Sequence, residues 1–461
     1  MLFHSTRGKD KDKTFEQVLM QGLADDGGLF IPDNWPKVDI NKLKELDTFL
    51  DVAKYIVPMF TQSSFDKGEV EEVLNNTWHN FSEKDLIKIF DIDESTAILE
   101  LFHGPTAAFK DFGLQLAAAF FNKTLQTQNK TAVVFGATSG DTGSAAIDAC
   151  KEFDVIKSFI LIPDGNMSEI QRKQMTTVDK SNVFPILVSG TFDDCQDIVK
   201  KGFSERSFLR DDQYLLAVNS INWVRIIGQI CYYFYASLIV NKLSHPLNFS
   251  VPTGNFGNVF ACYAASKMGM PLEKIIVAVN SNDILDRFFK NNDYSKKTVS
   301  ETISPSMDIS VASNFERLMY DFYLNRNSEA CSNLYNNFPE YGIKIDDEMW
   351  QKSEDLFMSY SINDDSTYES MKFYNNEYNY VMDPHTAVAA EAVSSLKDKL
   401  KNKTIILSTA HPAKFPNALD NAGIISDDIP DNLSEVISKK EVASKLSASE
   451  DSIFNYIKEN N

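Results

Sequence analysis

Short apolar runs that end in glycine-bearing loops and lead straight into helical patterning confine this chain to a parallel α/β architecture. Thr131 to Phe135 reads T-A-V-V-F and runs into G-A-T-S-G-D-T-G-S-A-A, Gly136 to Ala146. Phe249 to Val251 feeds P-T-G-N-F-G-N, Pro252 to Asn258, with a helix predicted over Val259 to Met268. Thr404 to Leu407 ends in S-T-A-H-P-A-K-F, Ser408 to Phe415. Further strands are predicted at Ala97 to Phe102, Ser158 to Ile162, Val183 to Val188, Tyr214 to Val218 and Ile275 to Val279. Helices are predicted from near Ser168, from near Phe192, over Asn222 to Val240 and over Thr386 to Leu396. Strands alternating with helices form parallel sheets through right-handed crossovers. In such sheets ligands collect beyond the carboxyl ends of the strands.

The first 95 residues read as one unit: a short helix at Phe15 to Leu19, a glycine-rich turn and strand over Gly22 to Pro32, and helical patterning at Val52 to Phe60 and Val70 to Trp78. Residues 321 to 380 are rich in Asn, Asp, Ser and Tyr and are predicted as helices joined by polar loops. Beyond Asp427 the charged tail is expected to pack as short surface helices.

With 461 residues, 43% of them hydrophobic, the chain can bury several cores. Its formal charge of -20 argues against nucleic acid, since there is no basic block to neutralise phosphates. An anionic substrate would need a local positive site built against the protein's own field. Five scattered cysteines without a C-x-x-C, and six dispersed histidines without an H-E-x-x-H, argue against a disulfide framework and a metal centre. They fit a reducing compartment, and the first residues do not read as a secretory signal. Ile226 to Val240 is broken by Gly228, Gln229 and Ser237 and is too short to span a bilayer. The expectation is therefore a cytoplasmic protein without a membrane partner.

Within His103 to Gln115, H-G-P-T-A-A-F-K-D-F-G-L-Q, Lys110 stands just ahead of an apolar run from Phe112 to Phe121. Phe112, Leu116, Ala119 and Phe120 share a helical face, which sets the lysine at a helix start beside aromatic and alanine side chains. A partly desolvated amine loses its proton more readily and becomes a nucleophile toward a carbonyl, such as the aldehyde of pyridoxal phosphate. A stem laid along apolar surface with its charge in water is the plainer reading of the same lysine.

Three strand ends offer partners for such a cofactor. Thr138-Ser139-Gly140-Asp141-Thr142-Gly143 combines small residues, hydroxyls and helix-start amides, which suit an α-carboxylate, although Asp141 must then point away. Gly254-Asn255-Phe256-Gly257-Asn258 is a phosphate cradle by the same physics; it lacks the Gly-Lys-Ser/Thr of a Walker loop and the spacing of a dinucleotide fingerprint. Ser408-Thr409-Ala410-His411 places a hydroxyl where it could face a pyridine nitrogen. Each loop alone is also readable as an ordinary capped turn. Arg7, Arg172, Lys173 and Lys414 are the cations considered for a substrate phosphate.

Taken together, the Lys110 segment, A-T-S-G-D-T-G, P-T-G-N-F-G-N and S-T-A-H-P-A-K-F resemble the threonine synthase family. S-T-R-G at Ser5 to Gly8 and G-L-A-D-D-G-G-L-F-I-P point to its longer branch, found in fungi and many bacteria. The resemblance covers nearly the whole chain. It implies an α/β fold-type II pyridoxal phosphate enzyme, similar to the tryptophan synthase β chain, with two parallel-sheet domains plus an N-terminal domain. The domains expected are 1–95, a large cofactor domain over 96–129 and 218–461, and a small domain over 130–217 that closes over the site. Lys110 would bind the cofactor covalently, Gly254, Asn255, Phe256, Gly257 and Asn258 its phosphate, and Thr409 its ring nitrogen. Thr138, Ser139, Asp141 and Thr142 would serve the substrate carboxylate side, with Arg7 and Lys414 toward the substrate phosphate. The implied reaction eliminates phosphate from O-phospho-L-homoserine and adds water to give L-threonine, in a monomer or alternatively a dimer. The nearest alternative is a related phospho-lyase or a serine/threonine dehydratase yielding 2-oxobutyrate. A metabolite-binding protein without catalysis is the alternative from a different class.

Overall fold

The computed structural model describes every residue except Ser139 and Asn166. A short antiparallel pair, β1 (Phe3–Ser5) and β2 (Phe30–Pro32), anchors the N-terminal region. A larger sheet of six strands runs in the order β11-β10-β9-β12-β4-β3. Its members are β3 (Lys88–Asp91), β4 (Thr96–Glu100), β9 (Leu247–Pro252), β10 (Leu272–Val279), β11 (Phe357–Ser361) and β12 (Thr404–Ser408). A five-stranded sheet has the order β13-β7-β6-β5-β8. It comprises β5 (Thr131–Ala137), β6 (Ile156–Pro163), β7 (Val183–Ser189), β8 (Gln213–Leu216) and β13 (Ser444–Ser447). Every pairing in these two sheets is parallel except β3 with β4. The central strands β4, β9 and β12 are buried along their whole length, as a parallel sheet covered by helices on both faces requires.

Helix starts follow local chemistry. Ser168, Thr191 and Asn222 each accept a hydrogen bond from a backbone amide of the first turn they cap. The helix Trp223–Asn241 is buried from Trp223 to Leu238. It is long and apolar enough by composition to cross a membrane, yet it lies inside this protein, against Phe49–Thr61, the lysine helix Lys110–Gln128 and Gly257–Met268.

Three elements depart from the sequence expectations. β3 lies in the stretch assigned to the N-terminal domain, but its Ile89 and Phe90 pair with Leu99 and Ile98 of β4 in the large sheet. β13 lies in the stretch assigned to the large domain, but Lys445 and Leu446 pair with Leu187 and Val188 at the edge of the small sheet. β11, in the polar 321–380 region, forms the far edge of the large sheet beside β10. The N-terminal region also shares its core with the lysine helix. Phe15 meets Phe120 at 5.1 Å between ring centroids, and Phe49 meets Phe112 at 5.4 Å.

The lysine helix and the buried Trp223–Asn241 helix cross at two glycines. A Cβ on Gly228 would stand 2.9 Å from the Phe112 carbonyl oxygen, and one on Gly113 would stand 2.9 Å from Arg225 Cα. Neither contact can relax without moving backbone. Gly228→Ala is therefore expected to destabilise the chain by about 1–3 kcal/mol, the usual cost of overpacking. Urea unfolding checks this, and an unchanged midpoint would mean that the crossing is not tight.

Candidate active site

The segment before Lys110 is clamped to the end of β12. The Phe109 amide donates to the Thr409 carbonyl at 2.9 Å, and the His411 amide donates to the Ala107 carbonyl at 3.0 Å. This short antiparallel bridge fixes the lysine and Thr409 side by side. Asp111 stiffens the same loop by accepting from the Thr106 amide at 2.9 Å and hydroxyl at 2.6 Å. Burial, reinforced by the Asp148 carboxylate, pushes the Asp111 carboxyl up to about 7.

Lys110 opens its helix and is almost wholly buried. Its Nζ donates to Ser306 Oγ at 3.3 Å and lies 3.6 Å from Asp141 Oδ2. Burial lowers the pKa of this amine; Asp141 opposes the fall, while the charges of Lys414 and Arg225 add to it. Asp141 starts the helix after β5. Burial would raise its pKa, but the charges of Lys414 and Lys110 hold its carboxyl well below the usual range. Its Oδ1 lies 2.8 Å from Lys414 Nζ and accepts from Gln171 Nε2 at 2.9 Å. The carboxylate is thus turned onto its own partners.

Gly254 to Asn258 joins β9 to the helix Gly257–Met268. A Cβ on Gly254 would stand 2.5 Å from the Ser306 carbonyl oxygen, so only glycine lets the two segments touch. Phe256 takes a left-handed conformation with φ of 63°, which turns the chain sharply into the helix. The Asn255 carbonyl accepts from both the backbone amide and the side-chain amide of Asn314. Asn258 accepts at Oδ1 from the hydroxyls of Tyr232 and Tyr233, while its buried Nδ2 has no partner among the described residues. A buried amide without an acceptor is costly, and a phosphate oxygen at this helix start would satisfy it. A desolvated lysine beside a glycine cradle with an unused amide donor fits pyridoxal phosphate.

The other named residues divide. In the Thr138 loop the Thr138 hydroxyl accepts from the Gly140 and Gly143 amides, at 3.2 and 3.0 Å, which uses two of the donors expected to meet a carboxylate. Thr142 follows Asp141 in the first turn and is half-buried. Ser139 lies outside the described residues. The two cations named for a substrate phosphate are already committed. Arg7 makes a two-pronged pair with Glu316, at 3.0 and 2.8 Å. Lys414 is fully buried, holding Asp141 and the Thr106 carbonyl. Arg172 pairs with Glu441 at 2.9 Å, and Lys173 with Glu169 at 3.1 Å.

The sequence reading missed one positioning chain. Asp383 Oδ2 lies 2.7 Å from His385 Nδ1, and His385 Nε2 accepts from the Ser306 amide at 3.2 Å. That acceptance puts the ring proton on Nδ1, facing Asp383. The chain holds Ser306 over Lys110. Its only trace in the sequence is D-P-H-T, which reads as a capped helix start. Gln171 and Gln174 were missed for lack of any signal; Gln174 Nε2 donates to the Thr106 carbonyl at 3.0 Å. Beside these groups a cleft of about 730 Å³ opens between the large and the small sheet, lined by Pro163, Gln171 and Thr191 on one side and Thr302, Lys414 and Phe415 on the other.

Comparison with known proteins agrees with this geometry. Residues 96–333 match the family described as pyridoxal-phosphate dependent enzyme. Residues 2–78 match the threonine synthase N terminus, and 386–457 the threonine synthase C-terminal family. Threonine synthase from Pseudomonas aeruginosa is 40% identical over 445 residues, covering 96% of this chain and 94% of that protein. The enzyme of the same name from Saccharomyces cerevisiae is 40% identical over 458 residues, covering 91% of this chain and 89% of its own length. The crystal structure of pyridoxal-phosphate-bound threonine synthase from Brucella melitensis superposes with a TM-score of 0.95, at 35% identity and 99% coverage of both chains. The chain is a fold-type II pyridoxal-phosphate-dependent enzyme. Within that class it belongs to the threonine synthase family, whose members are lyases of amino-acid biosynthesis.

His411 reads as a structural group in this site. Burial pushes its imidazole down to about 4, and its Nδ1 accepts from the Ala413 amide at 3.2 Å. The unfolded chain binds this proton near pH 6.5 and the folded chain only near pH 4. The contribution of His411 to stability is therefore complete above pH 6.5 and drains away as pH falls toward 4, by on the order of 3 kcal/mol. Histidine-selective NMR should find the ring neutral at pH 5.5; a protonated ring at that pH would refute the assignment.

Proposed function

We propose that this site converts O-phospho-L-homoserine into L-threonine and inorganic phosphate, and that Lys110 is its base. The observation that carries the reading is the Lys110 amine itself, buried, lowered in pKa and held between Ser306 and Asp141. When bound, pyridoxal phosphate supplies an electron sink for negative charge at the substrate α-carbon. Lys110 anchors the cofactor and, once freed by the incoming substrate amine, takes a proton first from the α-carbon and then from the β-carbon. Loss of the β-proton drives phosphate from the γ-carbon, and the same amine returns protons as water adds at the β-carbon. One base serves several carbons only if it swings along a defined arc. Ser306 Oγ and Asp141 Oδ2 mark two points on that arc.

The remaining roles complete this reading. Gly254, Asn255, Phe256, Gly257 and Asn258 receive the cofactor phosphate, and the Thr409 hydroxyl faces its ring nitrogen. A hydroxyl there does not force that nitrogen to be protonated. Thr138, Ser139, Asp141 and Thr142 form the substrate carboxylate side, with Asp141 acting through Lys110 and Lys414 and not as an anion receptor. The unit of residues 130–217, extended by β13, closes on the large sheet to keep water out until phosphate has left. We read the protein as a cytoplasmic monomer acting on a small molecule. Its five cysteines are free and buried, as suits a reducing compartment.

The test scores phosphate, threonine and 2-oxobutyrate together after addition of O-phospho-L-homoserine to the pyridoxal phosphate-loaded protein. Threonine is expected to match phosphate, and Lys110→Ala is expected to lower turnover by at least about 100–10,000-fold, the range for loss of a general base. Phosphate with 2-oxobutyrate would mean that elimination was assigned correctly and hydration was not. Absence of phosphate release would remove the substrate.

A further inference from the structure

The loop 104–107, which leads to Lys110, is strained and is held from outside. Ala107 adopts a left-handed backbone with φ of 54°. A residue other than glycine keeps that conformation only where its surroundings over-determine it. The turn supplies one bond of its own, from the Ala107 amide to the Gly104 carbonyl at 3.0 Å. The segment after β12 supplies two more. The His411 amide donates to the Ala107 carbonyl at 3.0 Å, and Lys414 Nζ donates to the Thr106 carbonyl at 2.8 Å.

The remaining grips come from two other helices, Glu169–Thr176 and Asp431–Ser438. Gln174 Nε2, on the first, donates to the Thr106 carbonyl at 3.0 Å. Asn432 Nδ2, on the second, donates to the carbonyls of Gly104 at 3.3 Å and Pro105 at 3.0 Å. Three consecutive carbonyls are thus taken by side-chain donors. Gln174 is buried, and its Oε1 has no partner among the described residues. An apolar side chain would fill the same place without stranding an acceptor, so the bond to Thr106 is what this amide contributes.

Both helices are built onto the small sheet. Glu169–Thr176 connects β6 to β7, and Asp431–Ser438 packs on it before the chain enters β13. Lys173 Nζ donates to the Ile437 carbonyl at 2.5 Å, and the Val442 amide donates to the Thr176 carbonyl at 2.6 Å. Leu433, fully buried, forms one apolar cluster with Ile170 of the first helix, Ala107 of the strained loop and Ala413. Gln171, on the same helix as Gln174, donates to Asp141 at 2.9 Å. One helix therefore grips both the carboxylate beside Lys110 and the loop that carries Lys110.

We propose that Gln174 and Asn432 are positioning residues for Lys110: they hold its strained loop from the small-sheet side, so that the amine takes its working place only while both helices sit against that loop. The proposal rests on the reading of Lys110 as the base and adds what sets its place. Neither residue needs to touch the substrate.

Asn432→Ala and Gln174→Met each remove one grip. In the cofactor-loaded enzyme each should lower kcat for threonine formation by roughly 10–100-fold, while KM for O-phospho-L-homoserine moves far less, as a displaced base requires and lost substrate binding does not. A second readout does not depend on turnover. In the full chain stripped of cofactor, competitive acetylation with mass spectrometry of the Lys110 peptide gives the pH at which the amine becomes reactive. In the parent, burial and the charges of Lys414 and Arg225 keep that pH below the ordinary lysine value, with Asp141 opposing them. In both variants it should rise toward about 10.4, because a released loop returns the amine to water. The two substitutions lie on different helices, so either stands in if the other fails to fold. A reactive pH that stays or falls, or an unchanged kcat, overturns the role of the residue replaced; a lower melting temperature alongside marks a residue that serves stability alone. A parent holoenzyme that makes no threonine would bring down the reading of Lys110 as base, while the reactivity of the stripped chain would still decide whether these two residues place its amine.

Discussion

The Asp141 carboxylate is the joint on which this structure depends. It comes from the small sheet, at the start of the helix after β5, and its partner Lys414 follows β12 of the large sheet. Lys414 also donates to the Thr106 carbonyl, in the loop that leads to Lys110. One buried ion pair therefore sets the distance between the two sheets and the position of the Lys110 amine. Such a pair is weak evidence for stability, since desolvating both charges offsets most of their attraction. It favours one arrangement of the sheets, because separating the pair would leave the buried Lys414 without its carboxylate. Opening the cleft means breaking this pair or carrying it along.

The lysine itself is placed by backbone more than by side chains. The bridge between Ala108 and Ala410 ties the loop before Lys110 to the segment after β12, so Thr409 and Lys110 move as one piece. Ser306 closes the third side, and its orientation is inherited from Asp383 through His385. The amine is then surrounded by groups whose own positions are set elsewhere. The role proposed for Lys110, one base serving several carbons, would require such freedom along one path and none off it.

The parts of this arrangement that could be read from sequence share a cause. Glycines and hydroxyls at the ends of apolar strands mark places where backbone must turn and approach something closely, and the Lys110, Gly254 and Ser408 segments carry that mark. β13 carries none: S-K-L-S is a polar edge strand that gains its pairing only from β7. β3 and β11 are edge strands too, short and of mixed burial. Asp383 and His385 were invisible because a helix cap and an orienting pair use the same residue types. The cations are a different case. Arg7 and Lys414 stand out in the sequence by charge alone, but whether a charge is available depends on its partner. Glu316 lies 309 positions from Arg7, and Asp141 far upstream of Lys414.

Charge is also where the whole molecule and its site diverge. A net -20 should repel phosphate, yet surface charges are screened over roughly 8–10 Å at moderate ionic strength, and buried charges much less. Lys110, Lys414 and Arg225 lie buried at the site, and Asp141 is the ionised carboxylate facing the two lysines. Asp111, pushed up to about 7, opposes them only in part. The local balance is positive even if Lys110 gives up its proton, because Lys414 is matched by Asp141 and Arg225 by no side chain among the described residues. An acidic surface and a cationic interior are compatible because the interior does not share the solvent's screening. The same separation explains why the surface lysines and arginines contribute little to anion binding. They are matched at the surface by carboxylates one turn away, as in Lys173 with Glu169 and Lys201 with Glu205, and exposed pairs of this kind leave almost no field at the site.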